Sequence, residues 1–259
     1  MQGVHEFRLQ LPRHAFGPDQ YARPGEIWRL FQEAAVRAST ECGWPPQRYA
    51  ATETAFVVTA MTTRHEGRIR YGDDLLVVTW LRDFRRRILT KREIRLYRGD
   101  ELAAETTQQW AHVAKTPSGM APAPATDALI DAFHARDDLG PVVDLPALET
   151  REEHEPHTFS FQCWRTWMDP LGHANHPAYL DWCDEAVARM ALARGASEVI
   201  AYAERVHWKG AVVAGEQVHI ETTPVGKTRC GASVLRHVIR TDAELKARAT
   251  TIRRFLHDG

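Results

Sequence analysis

The sequence predicts a duplicated α+β fold, each copy built from one strand, one long helix and four antiparallel strands. Three observations carry this. Residues 5–43 align without a gap on residues 157–195, at a constant offset of 152 (157 − 5). Both segments read as an alternating strand, a proline-containing loop and an apolar-striped helix closed by glycine. Four stretches of strand-like alternation, separated by turn residues, then follow each helix. Self-similarity of this kind is the mark of one unit used twice.

In the ungapped register His5 meets His157, Phe7 meets Phe159, Gln10 meets Gln162 and Pro18 meets Pro170. Glu33, Ala34, Arg37 and Gly43 meet Glu185, Ala186, Arg189 and Gly195. The segments EFRLQL and TFSFQCW supply the first strand of each copy. In the first helix Pro24 sits near the start, and Ile27, Leu30, Phe31, Ala34 and Ala38 recur at helical spacing. In the second, Asn175 or His176 is expected to cap and Pro177 to occupy the first turn. Leu180, Cys183, Val187, Met190 and Ala191 form its apolar stripe. Gly43 follows the first helix, and Gly195 supplies a left-handed cap to the second. Strands are expected at 54–70, 74–84, 86–98 and 101–115, and again at 198–210, 216–223, 228–240 and 244–256. Tyr71-Gly72-Asp73 corresponds to Ala214-Gly215-Glu216 at an offset of 143 (215 − 72), so the second copy is nine residues shorter between helix and strands.

These limits give a first domain at 1–115 and a second at 157–259. The connector 116–156 opens with the Pro-, Ala- and Ser-rich run TPSGMAPAPAT, which reads as extended linker. Thr126 is placed to cap a short helix over 127–137, with Leu129, Ile130 and Phe133 on one side. A duplicated fold on one chain is a covalent homodimer, so it is expected as a monomer (a pseudo-dimer) or a homodimer.

Composition narrows the function. The chain has 259 residues, 44% hydrophobic and 26% charged, an ordinary globular balance. Its 33 basic and 34 acidic residues leave no basic excess for nucleic acid or a membrane surface. The four cysteines, Cys42, Cys163, Cys183 and Cys230, are scattered without metal-ligand spacing, so no metal, cofactor or disulfide scaffold is expected. The polar N-terminus lacks signal-peptide character, and no apolar run reaches the roughly 18 residues of a spanning helix. A cytoplasmic protein is expected.

Reactive residues concentrate in one place, Met168-Asp169-Pro170-Leu171-Gly172-His173-Ala174-Asn175-His176-Pro177-Ala178-Tyr179. An acid, two imidazoles and an amide crowd around a glycine just ahead of a helix. The helix start offers unpaired amides and a positive dipole end, which stabilise a developing oxyanion. Pro177 has no N–H, so His176, Ala178 and Tyr179 are the candidate donors. A carboxylate beside such a hole can attack a thioester carbonyl or activate water. The thiol leaving group has a pKa near 8.5 and needs little acid assistance. A lone Asp or His in a loop is more often an Asx-turn or an ordinary polar side chain. The grouping of Asp169, Gly172, His173, Asn175 and Tyr179 favours function.

The spacing Asp169…Gly172…Tyr179 resembles the D-x-x-G-x-x-x-x-x-x-Y signature of 4-hydroxybenzoyl-CoA thioesterase-like hot-dog proteins. That resemblance implies a catalytic carboxylate at Asp169. His173-Ala174-Asn175-His176 is similar to the H-V-N-N run of acyl-ACP thioesterases. In the first copy Leu30-Phe31-Gln32-Glu33-Ala34-Ala35, Phe56-Val57-Val58-Thr59, Tyr71-Gly72-Asp73, Thr79-Trp80 and Trp110 resemble further segments of that family, in order. The resemblance spans nearly the whole chain. It implies a tandem double hot-dog, in which each sheet wraps around a central helix, and acyl-carrier protein or coenzyme A thioesters as substrates. Leu171 stands where the plant-type enzymes have Asn, and Val212 or Val213 where they have Glu. Only Asp169 and His173 therefore carry over as catalytic residues, with Gly172, Asn175, His176, Ala178 and Tyr179 in support.

In the first copy Gly17, Tyr21 and Arg23 replace Asp169, His173 and Asn175. One active site per chain is expected, the first copy shaping an acyl pocket. Two rivals are a hot-dog hydratase or dehydratase using His173 with an acid, and a non-catalytic acyl-thioester binding module. Arg85-Arg86-Arg87 with Lys91 and Arg92 could receive phosphates but reads more simply as a solvated strand face. Glu185 has its counterpart in Glu33 and is expected to be structural; Asp181 and Asp184 are ambiguous. Trp164, Trp167 and Trp182 are expected in the core, and Cys183 is expected to be inert.

Overall fold

An apolar stripe along a helix is stable only when a second apolar surface covers it, and each helix stripe here has a sheet to lie on. The computed structural model describes residues 2–117, 119–152 and 154–256. The chain divides into two units, one comprising residues up to Met61 with Glu66–Val143, the other Thr62–His65 with residues from Asp144 on.

The first unit contains β1 (Val4–Leu9), α1 (Pro24–Glu41), α2 (Pro46–Ala51), β2 (Thr54–His65) as far as Met61, β3 (Leu75–Arg85), β4 (Leu89–Arg98), β5 (Glu101–Thr116), β6 (Gly119–Pro122) and α3 (Asp127–Ala132). Its sheet runs β1-β3-β4-β5-β2, with β6 added to β5. The β1–β3 register, Val4 opposite Trp80 through Leu9 opposite Leu75, fixes which residues face α1. Helix α1 buries Ile27, Trp28, Phe31, Ala34 and Ala38. Full burial of each large side chain contributes about 1.5–3 kcal/mol.

The second unit contains β7 (Leu148–Arg151), β8 (His157–Gln162), α4 (His176–Ala193), β9 (Glu198–Trp208), β10 (Gln217–Thr228), β11 (Ser233–Thr241) and β12 (Leu245–Leu256). Its sheet runs β9-β12-β11-β10, and β8 and β7 share the remaining edge of β10. Helix α4 buries Tyr179, Leu180, Cys183, Val187 and Met190. Both long helices carry the same exposed ion pair at 2.7 Å, Glu33 with Arg37 and Glu185 with Arg189. That pair explains why the glutamate persists in both copies.

Several boundaries differ from the sequence reading. The expected linker 116–156 supplies two short strands, β6 and β7, which pair with β5 and β10. Thr126 caps α3 as expected, accepting from Leu129 N–H at 3.3 Å. The helix ends at Ala132 because His134 turns the chain with φ 45°. The β3–β4 turn sits on Arg86 and Arg87, both left-handed (φ 52° and 60°), where no glycine or asparagine announces it. Strand β10 continues to Thr228 because Pro224 is accommodated at a bulge before Gly226, and the turn falls at Cys230-Gly231 instead. No helix among the described residues is long and apolar enough to cross a membrane.

Candidate active site

The two copies fold the loop before their long helix into the same backbone turn. In the second copy Asp169 N–H donates to His173 C=O at 2.8 Å, and Gly172 N–H to Asp169 C=O at 2.9 Å. In the first, Gly17 N–H donates to Tyr21 C=O at 2.9 Å, and Gln20 N–H to Gly17 C=O at 3.0 Å. Isolated bridges repeat too, Met168 with Ala174 and Phe16 with Ala22. Each loop is tied to a connection between two strands, Ala174 N–H to Val212 C=O at 2.8 Å in the β9–β10 connection and Ala22 N–H to Ile69 C=O at 2.9 Å in the β2–β3 connection. Gly172 holds φ 82° and its counterpart Gln20 holds φ 67°. The turn is thus a property of the fold, and the side chains placed on it distinguish the copies.

On the second-copy turn His173 Nδ1 lies 3.5 Å from Asp169 Oδ2, an ion-pair distance, with side chains 31% and 14% exposed. Asp169 Oδ1 accepts from Leu171 N–H at 2.8 Å. The carboxylate therefore makes an Asx-turn with one oxygen while the other is directed to the imidazole. Structural and chemical readings of Asp169 coexist in one residue, because a carboxylate has two acceptor oxygens. In the first copy the Tyr21 ring is covered by the Arg68 guanidinium at 3.3 Å, and its hydroxyl accepts from Arg70 at 2.6 Å. No carboxylate or imidazole stands at Gly17 or Tyr21.

Asn175 occupies the N-cap position of α4, its N–H donating to Trp167 C=O at 2.9 Å, but its side chain makes no capping bond. His176 begins the helix and packs edge-on against Trp208 at 5.8 Å. One expectation needs correction. The Ala178 N–H donates to Asn175 C=O at 2.9 Å, so it is not an open oxyanion donor. Tyr179 is buried, and its hydroxyl accepts from Val212 N–H at 3.0 Å and lies 3.5 Å from Gly210 C=O. Burial pushes its phenol well above the ordinary value. Tyr179 therefore works as a structural clamp behind the loop, and Val212, which the sequence marked only as a missing glutamate, is what it holds.

An aromatic cluster adjoins the loop. Trp167 packs on Trp182 at 5.4 Å, and Trp182 on Tyr179 at 4.6 Å. Trp182 is buried as expected; Trp164 is not, being 64% exposed and stacked on Trp167 at 5.0 Å. Cys183 is fully buried, and desolvation raises its thiol far above the usual range, so it stays protonated. The basic run also separates. Arg85 pairs with Asp83 at 2.9 Å and Arg87 with Asp127 at 2.8 Å, whereas Arg92 is buried against Phe133 and Thr79. Burial lowers the Arg92 guanidinium to about 10. Strand alternation sends Arg92 inward with Ile94 and Leu96, so it does not belong to the solvated face.

The sequence gave no warning of a buried charge network in the second unit. Arg253 donates to Asp184 at 2.8 Å and to Glu204 at 2.9 Å, and His65 Nε2 lies 2.6 Å from Glu204. Glu204 and Arg253 are 0% and 1% exposed. The available signal was a charge at an inward strand position, Arg253 next to Ile252 and Glu204 next to Ala203. The network places Asp184 as an anchor for α4. Among the described residues no group of three or more His, Cys, Asp or Glu is placed to hold a metal ion.

No family model matches the chain, and no curated protein matches it by sequence. Solved structures do resemble it over nearly its whole length. A Lactobacillus plantarum protein assigned as an oleoyl thioesterase superposes with a TM-score of 0.82 at 16% identity, covering 98% of this chain and 97% of its own. An acyl-ACP thioesterase from Bacteroides thetaiotaomicron gives 0.77 at 11% identity, covering 97% and 98%. The 12:0-ACP thioesterase from Umbellularia californica gives 0.76 at 14% identity, covering 98% and 94%. The chain has the tandem double hot-dog fold of these thioesterases.

Proposed function

We propose that the protein hydrolyses an acyl thioester, of acyl-carrier protein or coenzyme A, to a free acid and a thiol. The observation that carries this reading is the Asp169–His173 pair, set on a backbone turn whose twin carries Gly17 and Tyr21. The thioesterase identity of the full-length structural neighbours supports the same class.

Asp169 is the reacting carboxylate. With Oδ1 held by the Leu171 amide, Oδ2 takes a proton from water as the water oxygen adds to the carbonyl carbon, or adds to that carbon itself. The tetrahedral oxyanion collapses and expels the thiolate. On the first route the thiolate takes the proton from Asp169 as the acid departs; on the second, water hydrolyses the acyl-Asp169 anhydride left behind, which frees the acid, restores the carboxylate and supplies the proton for the thiolate. His173, oriented by Asp169, positions the water or polarises the carbonyl. The positive end of the α4 dipole lies where negative charge develops.

The test is a thiol-release assay with the purified chain across acyl-CoA and acyl-carrier substrates of several acyl lengths. Equimolar thiol and free acid are expected. Addition of water to an enoyl thioester without thiol release would favour a hydratase and overturn the reading.

A further inference from the structure

The β9–β10 connection, which Tyr179 clamps and Ala174 is bonded to, closes on a carboxylate. Glu216 Oε2 accepts from Val213 N–H at 2.7 Å. The first copy closes its β2–β3 connection the same way, Asp73 Oδ2 accepting from Arg70 N–H at 2.8 Å. An acid at this turn is therefore common to both copies, and a cation beside it offsets its charge where water is partly excluded.

The copies draw that cation from different places. In the first it is the exposed Arg70 of the turn itself, whose guanidinium is raised most by its hydrogen bond to Tyr21 and further by the Asp73 charge. In the second copy Val213 stands at the Arg70 position, at the offset of 143 (213 − 70). There the cation comes from β12. Lys246 Nζ lies 3.4 Å from Glu216 Oε1 and donates to Glu244 Oε1 at 2.8 Å, with a side chain only 7% exposed. Its first-copy equivalent is Ala103, an equivalence that the backbone fixes. Lys246 C=O accepts from Lys209 and Gly210 at 2.8 and 3.1 Å, and Ala103 C=O from Glu66 and Gly67 at 2.9 and 3.0 Å. The cation has thus passed from an exposed place on the turn to a buried one on β12.

This acid is one residue from the backbone that holds the reactive loop. Val213 follows Val212, whose carbonyl accepts from Ala174 at 2.8 Å and whose amide donates to Tyr179 at 3.0 Å. The Tyr179 phenol is raised first by burial and further by the Cys163, Glu216 and Asp169 charges, so Glu216 and Asp169 share one neighbourhood. The Lys246 stem runs beside Gly210, where an added Cβ would meet its Cδ at 3.5 Å. Gly210 C=O in turn lies 3.5 Å from the Tyr179 hydroxyl. Burying an ammonium costs hydration and rotamer freedom, and here it offsets a carboxylate behind the loop.

We infer that Lys246 is a positioning residue for the hydrolysis, acting through Glu216 on the Val212–Val213 backbone that holds the Asp169/His173 loop. The inference rests on the thioesterase reading. Without the ammonium, Glu216 loosens from Val213 N–H, and the slack passes through Val212 to Ala174 and the loop. Supplying the charge from β12 also leaves an exposed valine, not an arginine, next to Val212.

The test compares the full wild-type chain with Lys246→Met, Glu216→Gln, their double variant and Glu244→Gln. Methionine keeps most of the lysine stem without its charge, and glutamine keeps an acceptor for Val213 N–H. Lys246→Met and Glu216→Gln should each lower kcat for thiol release about 10-fold to 100-fold, with KM within about twofold. The double variant should be no slower than the slower single one, because one path carries both effects. Glu244→Gln, at the exposed partner, should keep the wild-type rate. Amide hydrogen exchange at Val213 and Ala174 should quicken about fivefold in Lys246→Met, and that at Arg70 and Ala22 should not change. Wild-type kcat in Lys246→Met, losses that multiply in the double variant, an equal loss in Glu244→Gln, or unchanged exchange at Val213 and Ala174 would each overturn the proposal. If Lys246→Met does not fold by circular dichroism, Glu216→Gln decides, and wild-type kcat there overturns it. A wild-type chain that releases no thiol from any thioester would sink the hydrolase reading instead, and the exchange rates would still decide whether Lys246 holds the loop.

Discussion

The Tyr179 hydroxyl accepts a hydrogen bond from the Val212 amide at 3.0 Å, and the Val212 carbonyl accepts from Ala174 at 2.8 Å. A single phenol on α4 thereby sets the position of the loop that carries Asp169 and His173. Replacing Tyr179 with Phe strands the buried Val212 N–H. The expected loss of stability is about 1–3 kcal/mol, read from urea unfolding. Thioester turnover should fall with it, because the freed β9–β10 connection releases the loop.

Gly172 holds the turn with φ 82° in open space, where nothing would clash with a side chain. The cost of Gly172→Ala is therefore conformational, about 1–2 kcal/mol. It should lower turnover through misplacement of His173 while leaving the rest of the fold intact. Unchanged unfolding midpoint and rate would show that the turn is not held as described.

Acid should unfold the second unit in two stages. Burial lowers the His237 imidazole to about 3, with Arg253 adding to the effect, while an unfolded histidine titrates near 6.5. Between those values the unfolded chain binds the extra proton, so stability present above pH 6.5 is lost as pH falls. Burial alone would raise the Glu204 carboxyl, but His65 and Arg253 prevail and hold it at about 2. Its contribution is present above the ordinary carboxylate value near 4.3 and is lost below it. His237→Gln should flatten the decline between pH 6.5 and 4.5 and leave the more acidic stage in place, as measured by urea unfolding at each pH.

Arg253 holds two acids that have little water to turn to. Arg253→Met leaves Asp184 without its cation and Glu204 with His65 alone, and the expected cost is about 3–5 kcal/mol at neutral pH. Adding Glu204→Gln should recover part of that loss. A double variant as unstable as the single one would mean that Arg253 acts by packing alone.

Much of this organisation was legible in the residues themselves. The helix stripes from Ile27 to Ala38 and from Leu180 to Ala191 are local patterns, and the ungapped repeat carried the loop geometry with them. The Asp169/His173 pair was readable because both residues lie within five positions. The role of Tyr179 was not, since its partner Val212 is 33 residues away and donates through its backbone, which leaves no mark on side-chain identity. The Arg253 network was hidden for the same reason, its members being brought together only by the β9–β12 register and α4. The Arg86-Arg87 turn escaped notice because it places non-glycine residues in the left-handed region.

The most direct measurement is kcat/KM for thiol release by purified Asp169→Asn beside the wild-type chain, using the acyl-CoA or acyl-carrier substrate the wild type turns over best. If Asp169 is the reacting carboxylate, the variant folds, keeps the Leu171 contact through its amide oxygen, and loses about 10²–10⁴-fold in rate. Hydrolysis by Asp169→Asn at the wild-type rate would contradict it.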